Sequence, residues 1–133
     1  LRGEQLIERD AYLYEMTPHM HFRGKHMSYS VEYPDGKIES LLSVPKYDFN
    51  WQFNYRLEEP LFLPAGSKLI AIGAMDNSSR NLGNPDPTKP VFFGLQTMHE
   101  MFFGFTTLRY DGDTPNQSRQ KPSIADESVA GLE

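Results

Sequence analysis

Apolar residues in this sequence recur at every second position in short runs between turn-forming residues, and this pattern most constrains the fold. The clearest case is HMSYSVEY, which is followed by Pro34, Asp35 and Gly36 and then by KIESLLSV. Alternating runs on either side of Asp-Gly are typical of a β-hairpin, because this dipeptide tolerates the backbone angles of a tight turn. The sequence therefore predicts a hairpin with its tip at residues 34–36.

Four further runs predict strands, and no apolar pattern with helical periodicity accompanies them. Leu63 to Gly66 predicts a turn, SKLIAIGAM after it reads as a central strand, and Asn77 to Pro90 reads as a long polar loop. Short strands with no helices between them predict an all-β fold, an antiparallel β-sandwich or jelly roll. The four runs are AYLYEM (11–16), WQFNYRL (51–57), SKLIAIGAM (67–75) and MFFGFTTLRY (101–110).

The chain of 133 residues is long enough for one domain with a real core. We assign the sandwich to residues 1–110. Residues 111–133 are polar with few bulky apolar side chains, so they cannot bury enough surface to offset their ordering entropy. This stretch is predicted to be a poorly ordered tail or linker.

Composition excludes several classes of function. There are no cysteines, which removes disulfides, thiolate metal sites and thiol catalysis. The net charge is −5 and no basic run exceeds two residues, so no nucleic-acid partner is expected. No apolar run approaches the roughly 18 residues of a membrane span.

The stretch TPHMHFRGKHM holds three of the four histidines, and two of them are separated by one residue. On a strand, His19 and His21 would project to one face, close enough to share a metal ion, while Met20 would point to the other face. The alternative is a pair of surface histidines near a turn. His26 is expected to be a surface residue.

A copper site that works on oxygen needs ligands that tolerate both Cu(I) and Cu(II). Imidazole suits both states and a thioether favours Cu(I), whereas zinc would prefer a carboxylate or a third histidine. A methionine distant in sequence could therefore complete the pair, although six methionines are present and each alone fits core packing as well.

The sequence resembles the copper type II, ascorbate-dependent monooxygenases, specifically the C-terminal catalytic half of the peptidylglycine α-hydroxylating and dopamine β-monooxygenases. Their His-x-His-x-x-Gly-Lys pattern is similar to HMHFRGK, and their Asp-Glu-Met motif before an aromatic strand is similar to HEMFFGF. YRLEEPLFLPAGSKLIAIGAM fits the family's segment between the motifs, so the resemblance spans roughly residues 12–110. YDFNWQFNYRLEEP and DNSSRNLGNPDPTK look like a bacterial branch.

The resemblance implies that His19, His21 and Met101 bind an oxygen-activating copper. It implies O2 and a small organic substrate as partners, and electrons from a second copper domain or a cytochrome domain. It also implies an extracytoplasmic, bacterial location. With four histidines in all, the chain cannot also hold the family's three-histidine electron-storing copper. The isolated domain is therefore expected to bind copper and to turn over poorly, if at all.

The chain departs from the amidating relatives where they anchor a substrate carboxylate. The positions of their arginine and tyrosine anchors are Thr17 and Phe105 here. The substrate is therefore not expected to be a peptide C-terminus, and the pocket is expected to be more apolar. His99 stands at the family's aspartate, where it could be a second-shell partner, a fourth ligand or an exposed residue.

Other residues near the motifs have plainer interpretations. Glu100 is expected to accept loop N–H groups or to pair with Arg80 or Lys89, and Arg23 and Lys25 are interpreted as surface charge. Trp51, Tyr47 and Tyr55 could form a carbohydrate platform or belong to the core. The alternative function is a non-catalytic jelly-roll module that binds a metal, carbohydrate or protein. A zinc hydrolase has little support, because no His/Glu triad is evident.

Overall fold

A computed structural model describes residues 1–113 of the chain, and this part is built of strands and loops without a helix. The prediction of an all-β fold is confirmed. Within residues 1–113, no helix is long and apolar enough to cross a membrane. The strands are β1 (Arg2–Leu6), β2 (Ala11–Met20), β3 (Gly24–Glu32), β4 (Ile38–Val44), β5 (Tyr55–Leu63), β6 (Lys68–Met75) and β7 (Phe102–Tyr110).

The strands form two antiparallel sheets, one with the order β1-β6-β3-β4 and one with the order β5-β2-β7. Both sheets contribute fully buried apolar side chains to one core, including Leu13 and Met16 from β2 and Met27 and Val31 from β3. The predicted β-sandwich is therefore confirmed. A jelly roll has eight strands and residues 1–113 contain seven, so that finer assignment stays a prediction.

The predicted hairpin and central strand are present. β3 and β4 pair directly, and Gly36 takes the positive φ of 84° that the turn requires. The Tyr33 N–H donates to the Lys37 carbonyl at 2.8 Å and closes the hairpin. β6 lies between β1 and β3, as its apolar sequence predicts.

The structure contains one strand that the sequence does not predict, and another strand begins later than predicted. β1 was not predicted, because its five residues are mostly polar and exposed along one edge of the sheet. The strand predicted from Trp51 begins instead at Tyr55. Asp48 organises a turn just before it, accepting the Asn50 N–H at 2.8 Å on its carboxylate and the Trp51 N–H at 3.0 Å on its carbonyl.

Most of the predicted tail, residues 111–133, lies outside the described residues. Only residues 111–113 are described, and they form a turn in which the Asp111 N–H donates to the Asp10 carbonyl at 2.8 Å.

Candidate metal site

The two histidines lie where the chain crosses from one sheet to the other. His19 is near the end of β2, and His21 begins the turn to β3, in which the Gly24 N–H donates to the His21 carbonyl at 2.9 Å. A side chain at position 24 would bring its Cβ within 2.6 Å of the Tyr47 ring, so the turn requires glycine there. The rings of His19 and His21 meet edge to face with centroids 5.2 Å apart. The structure therefore brings the pair together, as the sequence predicts.

A β-bulge at Tyr14 decides which face His19 occupies. The β2–β7 register shifts by one residue between Leu13 and Glu15, so the inward alternation restarts one residue later. Leu13 and Met16 are therefore both buried, and His19 lies on the outer face of the sheet. Without the bulge, β2 would turn His19 toward the core.

Each histidine has its Nδ1 atom held by an acceptor. His19 Nδ1 lies 2.7 Å from Gln52 Oε1, and Gln52 Nε2 donates to the Phe49 carbonyl at 2.8 Å, which fixes the orientation of the amide. His21 Nδ1 lies 3.2 Å from the His99 carbonyl, which can only accept. In the neutral form of each ring, Nδ1 therefore carries the proton and Nε2 keeps the lone pair that a metal requires.

Met101 lies just before β7 and is 8% exposed. The β2–β7 register pairs His19 with Phe103 and Met20 with Phe102, and one more step would set His21 opposite Met101. Directly opposed residues of antiparallel strands share a face. The last observed pair is Met20 with Phe102, so a position of Met101 beside the second imidazole stays a prediction from the continued register.

Residues 1–113 contain no group of three or more His, Cys, Asp or Glu side chains arranged to hold a metal ion. The predicted site of two imidazoles and one thioether contains only two ligands of these types, so it falls below that threshold of three. Soft sulfur with two neutral imidazoles is a donor set that suits copper better than zinc. The residues present therefore fit copper.

His99 contacts the histidine pair through its backbone, because its carbonyl accepts a hydrogen bond from His21 Nδ1. Its ring packs against Gly94, where an added Cβ would lie 2.3 Å from His99 Nδ1. That Nδ1 atom is buried and has no hydrogen-bond partner within residues 1–113. Of the roles considered for His99, support of His21 is the one that its contacts favour, although the contact comes from the main chain. His26 lies half-buried on β3.

The outer face beside His19 combines aromatic rings with neutral polar side chains. Thr17 and Phe105 are direct cross-strand partners. Thr17 Oγ1 donates to Asn54 Oδ1 at 3.0 Å, and the Phe103 and Phe105 rings stack at 5.3 Å. The Phe105 ring lies 6.1 Å from that of His19.

Of three nearby charged residues, Arg23 differs from its predicted role, Glu100 has a different partner, and Lys25 is as predicted. Arg23 is 3% exposed and is not surface charge, because its guanidinium enters the loop of residues 77–100 to bind Asn84 and Met98. Glu100 accepts from Asn77 Nδ2 at 2.6 Å, and within residues 1–113 it forms no ion pair. Lys25 is exposed as expected, 3.5 Å from an Asp76 carboxylate oxygen.

The three aromatic residues considered for a carbohydrate platform differ in burial, and only one of them is exposed. Tyr47 is buried, and its hydroxyl accepts the Met20 N–H at 2.9 Å and donates to the Met20 carbonyl at 2.7 Å. Burial raises the pKa of the Tyr47 phenol, so the hydroxyl stays neutral and clamps the residue between the histidines. Tyr55 is half-buried in β5, and Trp51 is 67% exposed.

Gln52 and Tyr47 are the supporting residues that sequence reasoning missed. Both precede β5 and reach the site only through tertiary packing, so no local spacing identifies them. The only hint is that WQFNYRL places a polar amide among aromatic residues.

No protein-family model, curated protein or solved structure matches this chain.

Proposed function

We propose that this chain is the copper-binding catalytic half of an O2-dependent monooxygenase that hydroxylates a C–H bond. The proposal includes a jelly-roll topology for the β-sandwich. The observation that carries the proposal is the pair of adjacent imidazoles whose Nδ1 atoms are both held by acceptors, which leaves both Nε2 atoms free. His19, His21 and Met101 would hold the copper. When bound, copper would supply the one-electron chemistry that activates O2.

The residues of the chain have positioning and excluding roles in this proposal. Gln52 and the His99 carbonyl orient the imidazoles, and Tyr47 fixes the backbone between them. Phe103 and Phe105 present an uncharged wall beside His19, which suits an apolar substrate. The balanced reaction adds one oxygen atom to the C–H bond and reduces the other to water, with two electrons and two protons from a partner domain.

The proposal also covers the setting of the protein. An electron-supplying copper or cytochrome domain would act beside this one, in an extracytoplasmic compartment of a bacterium. The isolated chain is expected to bind copper without efficient turnover, because it has too few histidines for a second copper site.

Competitive titration with Cu(I) and Zn(II) tests the proposal. We expect Cu(I) to bind one site and to outcompete Zn(II), and the double variant His19→Ala/His21→Ala to lose that binding. His26→Ala, which removes a half-buried histidine from β3, is the matched control and should leave the Cu(I) affinity unchanged. Tight Zn(II) binding with weak Cu(I) binding would favour the non-catalytic module.

A carbohydrate-binding module is the second candidate, and the exposure of Trp51 favours it. The Trp51 and Phe53 rings lie 4.9 Å apart at an interplanar angle of 52°, so they form a tilted pair and not a flat platform. Because Trp51 is the only tryptophan, its fluorescence reports on this surface alone. A saturable fluorescence change with oligosaccharides that Trp51→Ala abolishes would support the module.

A further inference from the structure

A second candidate site lies in the loop that leads to β7, apart from the paired imidazoles. A cavity of about 430 Å³ opens there. Its polar lining is Arg23, Asp86, Lys89 and His99, and its apolar lining includes Val91, Phe92 and Met98. The cavity therefore combines two cationic side chains with a hydrocarbon wall.

Arg23 is the deepest of these charged groups and has no carboxylate partner within residues 1–113. Its Nε donates to Asn84 Oδ1 at 3.0 Å and its Nη1 donates to the Met98 carbonyl, so both acceptors are neutral. A buried cation without a counter-ion is costly, and buried charges in proteins are normally paired.

The remaining nitrogen of Arg23 is not fully enclosed by the residues that the structure describes. Nη2 makes no hydrogen bond within residues 1–113, and the only enclosed side-chain polar atoms there without a partner are Asn84 Nδ2 and His99 Nδ1. Nη2 is therefore accessible, and Arg23 lines the cavity. The two contacts that tie Arg23 to the loop leave this group available to a ligand.

The rim fixes the net charge of the cavity. Lys89 Nζ lies 3.3 Å from Asp86 Oδ2. Hydrogen bonds from the Thr88 hydroxyl and N–H keep the pKa of Asp86 below its usual range, so Asp86 stays ionised near neutral pH. Arg23 and Lys89 against Asp86 leave one net positive charge. A monoanion would neutralise it, whereas a dianion would leave an unpaired negative charge and would cost more to remove from water.

We propose that this cavity binds a small organic carboxylate, whose charged group meets Arg23 and Lys89 and whose hydrocarbon part rests on Val91, Phe92 and Met98. Guanidinium groups match carboxylates geometrically, and the apolar lining suits an organic acid better than an inorganic anion. This proposal does not rest on the metal proposal, because none of the charged groups of the cavity is a copper ligand, although His99 borders both sites.

Calorimetric titration of the full chain with benzoate tests the site, with benzamide as the uncharged analogue and sulfate as the inorganic dianion. Benzoate should bind and benzamide should not, and sulfate should bind more weakly than benzoate. Arg23→Gln should abolish benzoate binding. Because loss of Arg23 could also disturb the loop, variants of the half-buried Asp86 and the exposed Lys89 at the rim provide the decisive comparison.

Lys89→Gln should weaken benzoate binding and Asp86→Asn should strengthen it, each by roughly twofold to fivefold. Asp86→Asn keeps the side-chain oxygen that accepts from Thr88, so the turn is preserved. Lys37→Gln, on the hairpin and paired with Glu39, is the matched control and should change nothing. Benzoate affinity that is unchanged in both rim variants would overturn the proposal. Equal binding of benzamide, tighter binding of sulfate, or no binding of benzoate at millimolar concentration would each overturn it as well.

Discussion

Gln52 is the residue on which the tautomer of His19 depends. Its amide is oriented by the Phe49 carbonyl, so its oxygen faces His19 Nδ1 and selects the tautomer that can bind a metal through Nε2. Outer-shell partners of this kind typically contribute about 10- to 100-fold to metal affinity.

Gln52→Leu is therefore expected to lower the Cu(I) affinity by roughly 10-fold or more, with little change in the free energy of unfolding, since Gln52 is exposed. Competition with a calibrated Cu(I) chelator measures the affinity. Gln96→Leu is the matched control, because Gln96 is also exposed and its side chain makes no hydrogen bond within residues 1–113. Equal affinity of the Gln52→Leu variant and the wild type would refute the role of the tautomer.

Tyr47 is the second decisive residue. Tyr47→Phe leaves the Met20 N–H and carbonyl without their buried partner, so we expect the free energy of unfolding to fall by about 1–3 kcal/mol. Tyr14→Phe is the control, since the Tyr14 hydroxyl makes no hydrogen bond within residues 1–113. Urea denaturation of the two apoprotein variants measures the difference, and an equal loss in both would contradict the clamp.

The same tyrosine predicts a pH dependence. Burial raises the pKa values of Tyr29 and Tyr47, so the folded state keeps their protons at pH values where the unfolded chain releases them. Their contribution to the free energy of unfolding is fully present below about pH 10. It is lost above that pH, where the unfolded state binds fewer protons than the folded state. Stability measured across this range should fall above about pH 10, and less steeply in Tyr47→Phe. An unchanged slope in the variant would be inconsistent with this assignment.

At the scale of elements, the bulge in β2 sets the outward position of His19. Deletion of Thr17, which lies between the bulge and His19, would turn His19 toward the core while Leu13 and Met16 stay inward. We expect this deletion to lower the free energy of unfolding by more than about 3 kcal/mol, as for a buried unpaired polar group combined with core disruption.

Thermal unfolding followed by circular dichroism measures the effect. Deletion of Leu82, a fully exposed residue of the long loop, is the control and should cost much less. Similar melting temperatures for the two deletions would show that the outward position of His19 does not depend on the alternation of inward and outward residues in β2.

The sequence predicts elements better than it predicts the site. Alternation and turn residues identify β3, β4 and the central β6, because these signals are local. The strand β1 escapes prediction because an exposed edge strand needs no apolar face. The run AYLYEM has no clear polar face in the sequence, because the bulge at Tyr14 interrupts its alternation.

For the site, the sequence predicts the adjacency of His19 and His21 because two same-face positions are a local property of a strand. The supporting contacts from Gln52, Tyr47 and the His99 carbonyl join positions 27 to 78 residues apart, so no spacing rule reveals them. The burial of Arg23 was mispredicted for the same reason, since it depends on a loop that follows more than 60 residues later.

At the scale of the whole molecule, the sandwich holds the imidazoles before any metal binds, because their partners belong to the protein. Binding to a preformed site stabilises only the folded state. We expect Cu(I) at 100 times its dissociation constant to raise the free energy of unfolding by about 2.7 kcal/mol. Urea denaturation under anaerobic conditions with and without Cu(I) measures this, and His19→Ala/His21→Ala should show no shift. A shift that persists in the double variant would indicate binding elsewhere.

The central claim is that His19, His21 and Met101 together hold copper, and X-ray absorption of the Cu(I)-loaded chain tests it most directly. We predict a spectrum with two imidazoles and one sulfur, and loss of the sulfur contribution in Met101→Ile. Met98→Ile, which alters an exposed methionine three residues earlier, should retain it. A wild-type spectrum without sulfur, or one whose sulfur persists in Met101→Ile, would contradict the account.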